Sequence, residues 1–141
     1  MDHSDYTADY LKDILSSVKR IALVGASDKP ERASYRVMSF LLDHDYDVIP
    51  VNPGKEGQEI LGQRVVARLS DIDGPIDMVD VFRNSEAAGG VTDEAIAVGA
   101  KVVWMQLNVF NAAAAKRAED AGLKVVMDRC PKIEHPSVMF N

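Results

Sequence analysis

Residues 21–32 read IALVGASDKPER. An apolar run ends on Gly25, small residues follow, and a helical pattern starts just beyond. A nucleotide-binding α/β sheet opens this way, with a buried strand, a sharp turn, and a helix whose unpaired N–H groups favour an anion. Gly25 permits the turn and a close approach of ligand to backbone. Ala26 and Ser27 are small, and Lys29, Arg32 and Arg36 bring positive charge. The stretch is either a phosphate or diphosphate site or a tight strand-to-helix turn with solvated cations.

The dinucleotide fingerprint G-x-G-x-x-G is absent. Its second glycine falls on Ser27 and its third on Pro30. The acidic residue that would meet the ribose hydroxyls falls at the end of the next strand, where the chain has Asn52. Three separate requirements fail, which argues against an ordinary NAD site. No G-K-[ST] follows the first loop, which argues against a P-loop.

Working outward, residues 6–18 place Tyr6, Tyr10, Leu11, Ile14, Leu15 and Val18 at helical spacing. They predict an amphipathic helix within residues 1–19 that covers the sheet. RIALVG (20–25) is the first strand, and SYRVMSFLLDHD (34–45) is a helix with Ser34 as its N-cap. YDVIPV (46–51) is the second strand, and residues 60–69 form a short extended excursion. IDMVDVF (76–82) is the third strand. Residues 85–100 are a helix weakened at Gly89–Gly90 and ending near Gly99. KVVWMQ (101–106) is the fourth strand. NAAAAKRAEDAG (111–122) is a helix capped by Asn111 and stopped at Gly122. LKVVMD (123–128) is the fifth strand, and the tail from Arg129 onward is irregular. Short Val- and Ile-rich strands alternating with helices predict a single α/β domain, Rossmann-like and doubly wound. Its sheet is mainly parallel, with five or six strands flanked by helices.

The 141 residues suit one domain, 47% apolar and 27% charged. The net charge of −6, with no basic stripe, argues against nucleic acid and against a membrane surface as partners. No apolar run approaches the ~20 residues that span a bilayer. The acidic opening MDHSDYTADY is unlike a signal peptide, and Cys130 stands alone, so a cytoplasmic setting is expected.

In such a sheet, ligands bind beyond the carboxyl ends of the strands. That rule selects Gly25–Ser34, Asn52–Gly57, Phe82–Ser85, Gln106–Asn111 and Asp128–Pro131. Asn52, Pro53 and Lys55 are either a flat edge for a base with a cation for phosphate, or simply a turn. His3 reads as part of a loose terminus. His44 lies at the wrong end of the sheet, and His135 is the one histidine able to approach the ligand edge. Asp80, inside a strand, needs a partner if buried. Cys130 is either a small buried hydrophobe or a thiol facing the pocket, activated by Arg129 or Lys132. Trp104 reads as core, although it leads straight to Gln106. No catalytic set or metal-ligand cluster stands out.

The stretches IALVGASDKPERASYRV, DVIPVNP, ILGQRVVARLSDI, DMVDVFR, GAKVVWMQLNV and AGLKVVMDRC, in this order from about Tyr10 to His135, resemble a known family. The sequence is similar to the small stand-alone CoA-binding proteins of bacteria and archaea, whose Rossmann-type fold is shared with the CoA-binding domain of succinyl-CoA synthetase α subunits. The resemblance implies coenzyme A or an acyl-CoA at the carboxyl edge. Gly25, Ala26 and Ser27 would contact the diphosphate, with Arg32 and Ser34 close by. Val51, Asn52, Pro53 and Lys55 would line the adenosine end, and Phe82 and Arg83 would border the pocket. Trp104 and Gln106 would sit along the pantetheine path. The family often has glycine two residues after this glutamine, where the chain has Asn108; a side chain there would narrow the pocket. The resemblance supplies no reaction, and the phosphohistidine machinery of the larger synthetases has no equivalent motif here.

Three functions follow as expectations. The first is a CoA or acyl-CoA binding module without catalysis. The second is an enzyme or enzyme subunit in acyl-CoA or thiol chemistry. The third is a nucleotide-sensing protein that binds a partner, either a second copy of itself or another protein, through the N-terminal helix.

Overall fold

In the computed structural model, which describes residues 1–139, Thr7 opens the first helix. Its hydroxyl accepts the Tyr10 N–H at 3.1 Å and caps α1, Ala8–Ser17. The chain continues through β1 (Arg20–Val24), α2 (Ala33–Asp43) and β2 (Asp47–Val51). A small antiparallel hairpin follows, β3 (Glu59–Ile60) with β4 (Gln63–Arg64). The rest is β5 (Met78–Val81), α3 (Ser85–Ala97), β6 (Val102–Met105), α4 (Ala112–Asp120), β7 (Lys124–Val126) and α5 (Pro131–Met139).

The five long strands form one parallel sheet in the order β2-β1-β5-β6-β7. The chain builds outward from β1 to β2, then returns across to β5 on the other side of β1. The strand order therefore reverses between β1 and β5, and a crevice opens there at the carboxyl ends. The excursion leading to β5 is tied to the sheet by a parallel bridge between Val51 and Val66.

Both faces of the sheet are covered, as its apolar strands require. On one face α1, α2 and α5 bury Leu11, Ile14, Leu15, Met38, Leu41 and Val138 against Ile21, Leu23, Met78 and Trp104. On the other, α3 and α4 offer small residues, among them Ala88, Ala95, Ala114 and Ala118, to Val79, Val81, Val103 and Met105. The Gly89–Gly90 pair stays within α3. No helix among the described residues is long and apolar enough to cross a membrane.

Three expectations are corrected. The tail from Arg129 is not irregular, because residues 131–139 form α5. Pro131 stands at the first helical position, where its missing N–H costs nothing. Pro136 lies inside the helix and removes a backbone bond, at a cost of roughly 3 kcal/mol. Burial of Pro131, His135 and Val138, at roughly 1.5–3 kcal/mol for a side chain such as Val, offsets that loss. Ser34 is not the N-cap of α2. The chain already turns at Lys29, whose carbonyl accepts the Arg32 N–H at 3.0 Å, so Arg32 is the extended cap residue and Ser34 is buried in the first turn. His3 is not loose. Its ring bonds Tyr6 Oη at 2.7 Å and Glu119 Oε1 at 2.7 Å.

The N-terminal helix also closes an open edge. β7 is the last strand of the sheet, and an uncovered edge invites pairing with other chains. Tyr10 Oη donates to the Val125 carbonyl at 2.8 Å and accepts the Val125 N–H at 3.2 Å. Tyr6 Oη accepts the Met127 N–H at 2.8 Å. The apolar stripe of α1 is buried within the domain at Leu11, Ile14 and Leu15, so it is not available to a partner.

Candidate functional site

Leu23, Asp80 and Trp104 are register partners across β1, β5 and β6. Two residues further along the same strands stand Gly25, Phe82 and Gln106, which form the floor of the crevice on the same face of the sheet. The ladder continues to this level, since Phe82 N–H donates to Val24 O at 2.8 Å and Gln106 N–H to Val81 O at 3.2 Å.

Gly25 has a φ of 92°, and a Cβ there would lie 2.3 Å from the Phe82 carbonyl oxygen. Both the backbone angle and the neighbouring strand therefore demand glycine. Gly25 N–H and Ala26 N–H both donate to Val51 O, at 3.0 and 3.3 Å. Neither is left for a ligand, and Ala26 contributes shape rather than a donor. Asn52 fastens the first two loops together. Its Nδ2 donates to Ala26 O at 2.8 Å, and its Oδ1 accepts the Gly54 N–H at 2.9 Å.

Over this floor lies a cavity of about 440 Å³, lined by Gly25, Ala26, Ser27, Lys29, Arg32, Ala33, Ser34, Asn52, Lys55 and Phe82. The start of α2 opens into it, so unpaired N–H groups and the positive helix end meet three cationic side chains. Lys55 Nζ bridges to Asp28 Oδ1 at 3.1 Å, and this hydrogen bond holds the Asp28 carboxyl below its ordinary range. An anion entering the cavity competes with Asp28 for Lys55.

The cavity shares Ala33 and Phe82 with a second one of about 540 Å³, bounded also by Arg83, Asn84, Gln106, Leu107, Asn108 and Val109. Gln106 is buried, and its Oε1 has no hydrogen-bond partner among the described residues. Asn108 does line this arm. Its φ of 67° is the left-handed conformation that glycine and asparagine tolerate best, and its N–H donates to Asp128 Oδ1 at 2.7 Å. A third cavity of about 240 Å³ lies behind the strand tips, where Val51 and Pro53 meet Arg68, Arg83, Gly90 and Glu94.

Of the residues expected at the site, Gly25, Ala26, Ser27, Arg32, Ser34, Asn52, Lys55 and Phe82 share the first cavity. Arg83 and Gln106 border the second, and Val51 and Pro53 the third. Trp104 lies outside all three. It is fully buried one row beneath the floor, with its indole N–H donating to Arg129 O at 2.9 Å. Trp104 and Gln106 face the same side of the sheet, and the two-residue step along the chain brings Gln106 to the edge and leaves Trp104 in the core. His135 is likewise not at the ligand edge. α5 carries it to the far end of α2, where its ring lies 4.9 Å from His44 and 5.5 Å from Phe40. Cys130 is buried in the apolar cluster beneath α1 and α5. Arg68 and Asp28 were not anticipated. Arg68 sits in the excursion, and only the long-range Val51–Val66 bridge brings it to the strand tips.

A family model described as a CoA binding domain matches residues 19–136. A Bacillus subtilis protein named "Uncharacterized protein YneT" is 44% identical over 125 residues, covering 89% of this chain and 91% of that one. A solved structure described as a hypothetical protein from Pyrococcus horikoshii superposes with a TM-score of 0.91 at 42% identity, covering 99% of each chain. A dinucleotide forming acetyl-coenzyme A synthetase from Ca. Korarchaeum cryptofilum superposes with a TM-score of 0.67 at 26% identity. That match covers 76% of this chain and 25% of the synthetase.

Proposed function

Since the chain belongs to the CoA-binding domain family, we propose that it binds coenzyme A, or an acyl-CoA, along the carboxyl edge of its sheet without a catalytic step of its own. One observation carries this reading: a single cavity joins the Gly25 turn, the start of α2 and the cations Lys29, Arg32 and Lys55. In this reading the diphosphate lies against Ser27 and the first turn of α2, since Gly25 and Ala26 already donate to Val51. The adenosine end reaches Val51, Asn52 and Pro53. Pantetheine runs over Phe82 into the arm with Gln106, where the buried Oε1 accepts an amide N–H. Trp104 supports this floor from below rather than touching the ligand.

Thermal unfolding with CoA, NAD and ATP tests the proposal. Ligand at 100 times its Kd adds about 2.7 kcal/mol of stability. A shift with CoA and a much smaller one with NAD is expected; no shift at millimolar CoA would sink the proposal. The likeness to part of an acetyl-coenzyme A synthetase favours a second reading, a subunit of an acyl-CoA enzyme. Release of free thiol from acetyl-CoA by the purified chain, with nucleotide and phosphate supplied, would favour that reading over a pure binding role.

A further inference from the structure

The loop between β6 and α4, residues 106–111, walls the arm that holds Gln106, with Leu107, Asn108 and Val109 in the lining. Packing fixes this loop at Val109, which is buried, but Leu107 and Phe110 stand 44% and 51% exposed. Hydrogen bonds hold the rest. The N–H groups of Asn108, Val109, Phe110 and Asn111 go to Asp128 Oδ1 at 2.7 Å, Gln106 O at 2.9 Å, Ser85 Oγ at 2.9 Å and Met127 Sδ at 3.4 Å.

Asp128, at the tip of β7, grips the loop twice. Its carboxylate accepts the Asn108 N–H, and its own N–H donates to Val109 O at 3.2 Å. Both Asn108 and Asp128 are left-handed, with φ of 67° and 57°. Residues other than glycine stay there only where their surroundings hold them. The bond between these two is the shortest of the four that the loop N–H groups make, and a carboxylate acceptor strengthens it. Asp128 does not line the arm or the Gly25 cavity, so it reaches a ligand only through Asn108.

We propose that Asp128 is a positioning residue for the arm: by fixing Asn108 it holds the loop where pantetheine fits, and so sets affinity for the pantetheine half of the ligand and not for the nucleotide half. The inference rests on the reading that pantetheine runs over Phe82 into this arm. Without the carboxylate, the Asn108 N–H loses its partner and the left-handed turn unwinds, which shifts Leu107 and Asn108 in the wall. The Gly25 cavity has no residue of this loop in its lining, so the nucleotide half is untouched.

Isothermal titration of the full chain with dephospho-CoA and with ADP, which differ only in the pantetheine, tests the role. The wild type is expected to bind dephospho-CoA at least about tenfold more tightly, since the arm adds contacts. Asp128→Gly removes the carboxylate and keeps a backbone at ease in the left-handed region. It should weaken dephospho-CoA by roughly five- to tenfold, the scale of one lost charge-assisted bond, and leave ADP within about twofold. Asp128→Asn keeps an acceptor oxygen and should restore most of the affinity. Asn108→Gly removes the need for the grip, so Asp128→Gly should cost dephospho-CoA less in that background than it does alone. Asp128→Ser, which truncates the side chain less severely, takes the same measurement should Asp128→Gly fail to fold. A ratio of the two affinities unchanged on truncation, or ADP weakened as much as dephospho-CoA, would overturn the role and leave the CoA reading intact. Equal binding of the two ligands by the wild type would overturn the placement of pantetheine in the arm and the role with it. No binding of either would overturn the CoA reading itself.

Discussion

The carbonyl oxygen of Phe82 occupies the space where any side chain at position 25 would begin, 2.3 Å from a Cβ built on Gly25. Gly25 joins β1 to the loop over the cavity, and Phe82 directly follows β5, so this contact sets the spacing of the two strand tips. Gly25→Ala combines a clash with backbone that cannot yield and a φ of 92°. The expected cost is roughly 2–4 kcal/mol. Urea denaturation measures it. A loss below about 0.5 kcal/mol, the range of neutral surface changes, would show that the tips can separate freely.

Asp28 and Lys55 form a partly exposed pair at 3.1 Å. Solvent screening leaves such pairs little effect on stability, so Asp28→Asn should unfold at nearly the wild-type midpoint. The same change releases Lys55 toward an anion in the cavity. CoA affinity should rise by roughly two- to tenfold, the effect of a modest charge rearrangement. Weaker binding in titration calorimetry would mean that Asp28 holds Lys55 in place for the ligand instead of competing with it.

Asp80 is fully buried between Leu23 and Trp104, and neither carboxyl oxygen has a hydrogen-bond partner among the described residues. Burial pushes its pKa well above the ordinary value. The folded state therefore keeps a proton that the unfolded chain loses above about pH 4. This contribution to stability is fully present below that pH and is lost as pH rises toward the folded pKa. Asp80→Val should stabilise the protein at pH 7 by roughly 1–3 kcal/mol, because an unpaired buried polar group is replaced by an apolar one. It should also flatten this part of the pH dependence. His135 acts in the opposite sense, since burial and then the charge of His44 lower its pKa. Its contribution is present above about pH 6.5 and fades as pH falls through the lowered value. Urea midpoints of the wild type, Asp80→Val and His135→Phe across this range separate the two. An Asp80→Val protein less stable at pH 7 would show that the acid has a structural partner.

The hydroxyls of Tyr6 and Tyr10 serve the outer edge of β7 at Val125 and Met127. Tyr10→Phe leaves two backbone groups without that partner, and Tyr6→Phe leaves one. Each should cost on the order of 1 kcal/mol per lost bond. Hydrogen exchange should accelerate at the Val125 amide in Tyr10→Phe and at the Met127 amide in Tyr6→Phe. Unchanged exchange at both would show that the helix shields the edge by packing alone.

Local pattern was enough for most of the architecture. IALVG, DVIPV, DMVDV and KVVWM are strands because short β-branched runs suit burial on both faces. Asn111 and Gly122 bound their helix through capping that involves only neighbouring residues. The absence of an NAD fingerprint was also legible, because it depends on residue type at fixed spacing. α5 was not legible, since Pro131 and Pro136 read as breakers and the packing that holds them lies far away in sequence. Trp104 read as core from its strand and is buried there; only the resemblance put it on the ligand path, and it lies two residues short of Gln106 on the same face of the sheet. His135 lies near the right loop in sequence, and one turn of α5 carries it to His44 at the far end of α2.

The sequence by itself determined the fold class, the Gly25 turn and the family resemblance, all of which follow from short-range spacing. Tertiary structure decided which residues share a cavity. The Val51–Val66 bridge brought Arg68 beside Pro53, Val51 claimed the N–H groups of Gly25 and Ala26, and Asp80 came to lie beneath the floor without a hydrogen-bond partner among the described residues. These relations join residues far apart in the chain, and the sheet register that sets them comes from packing both faces at once.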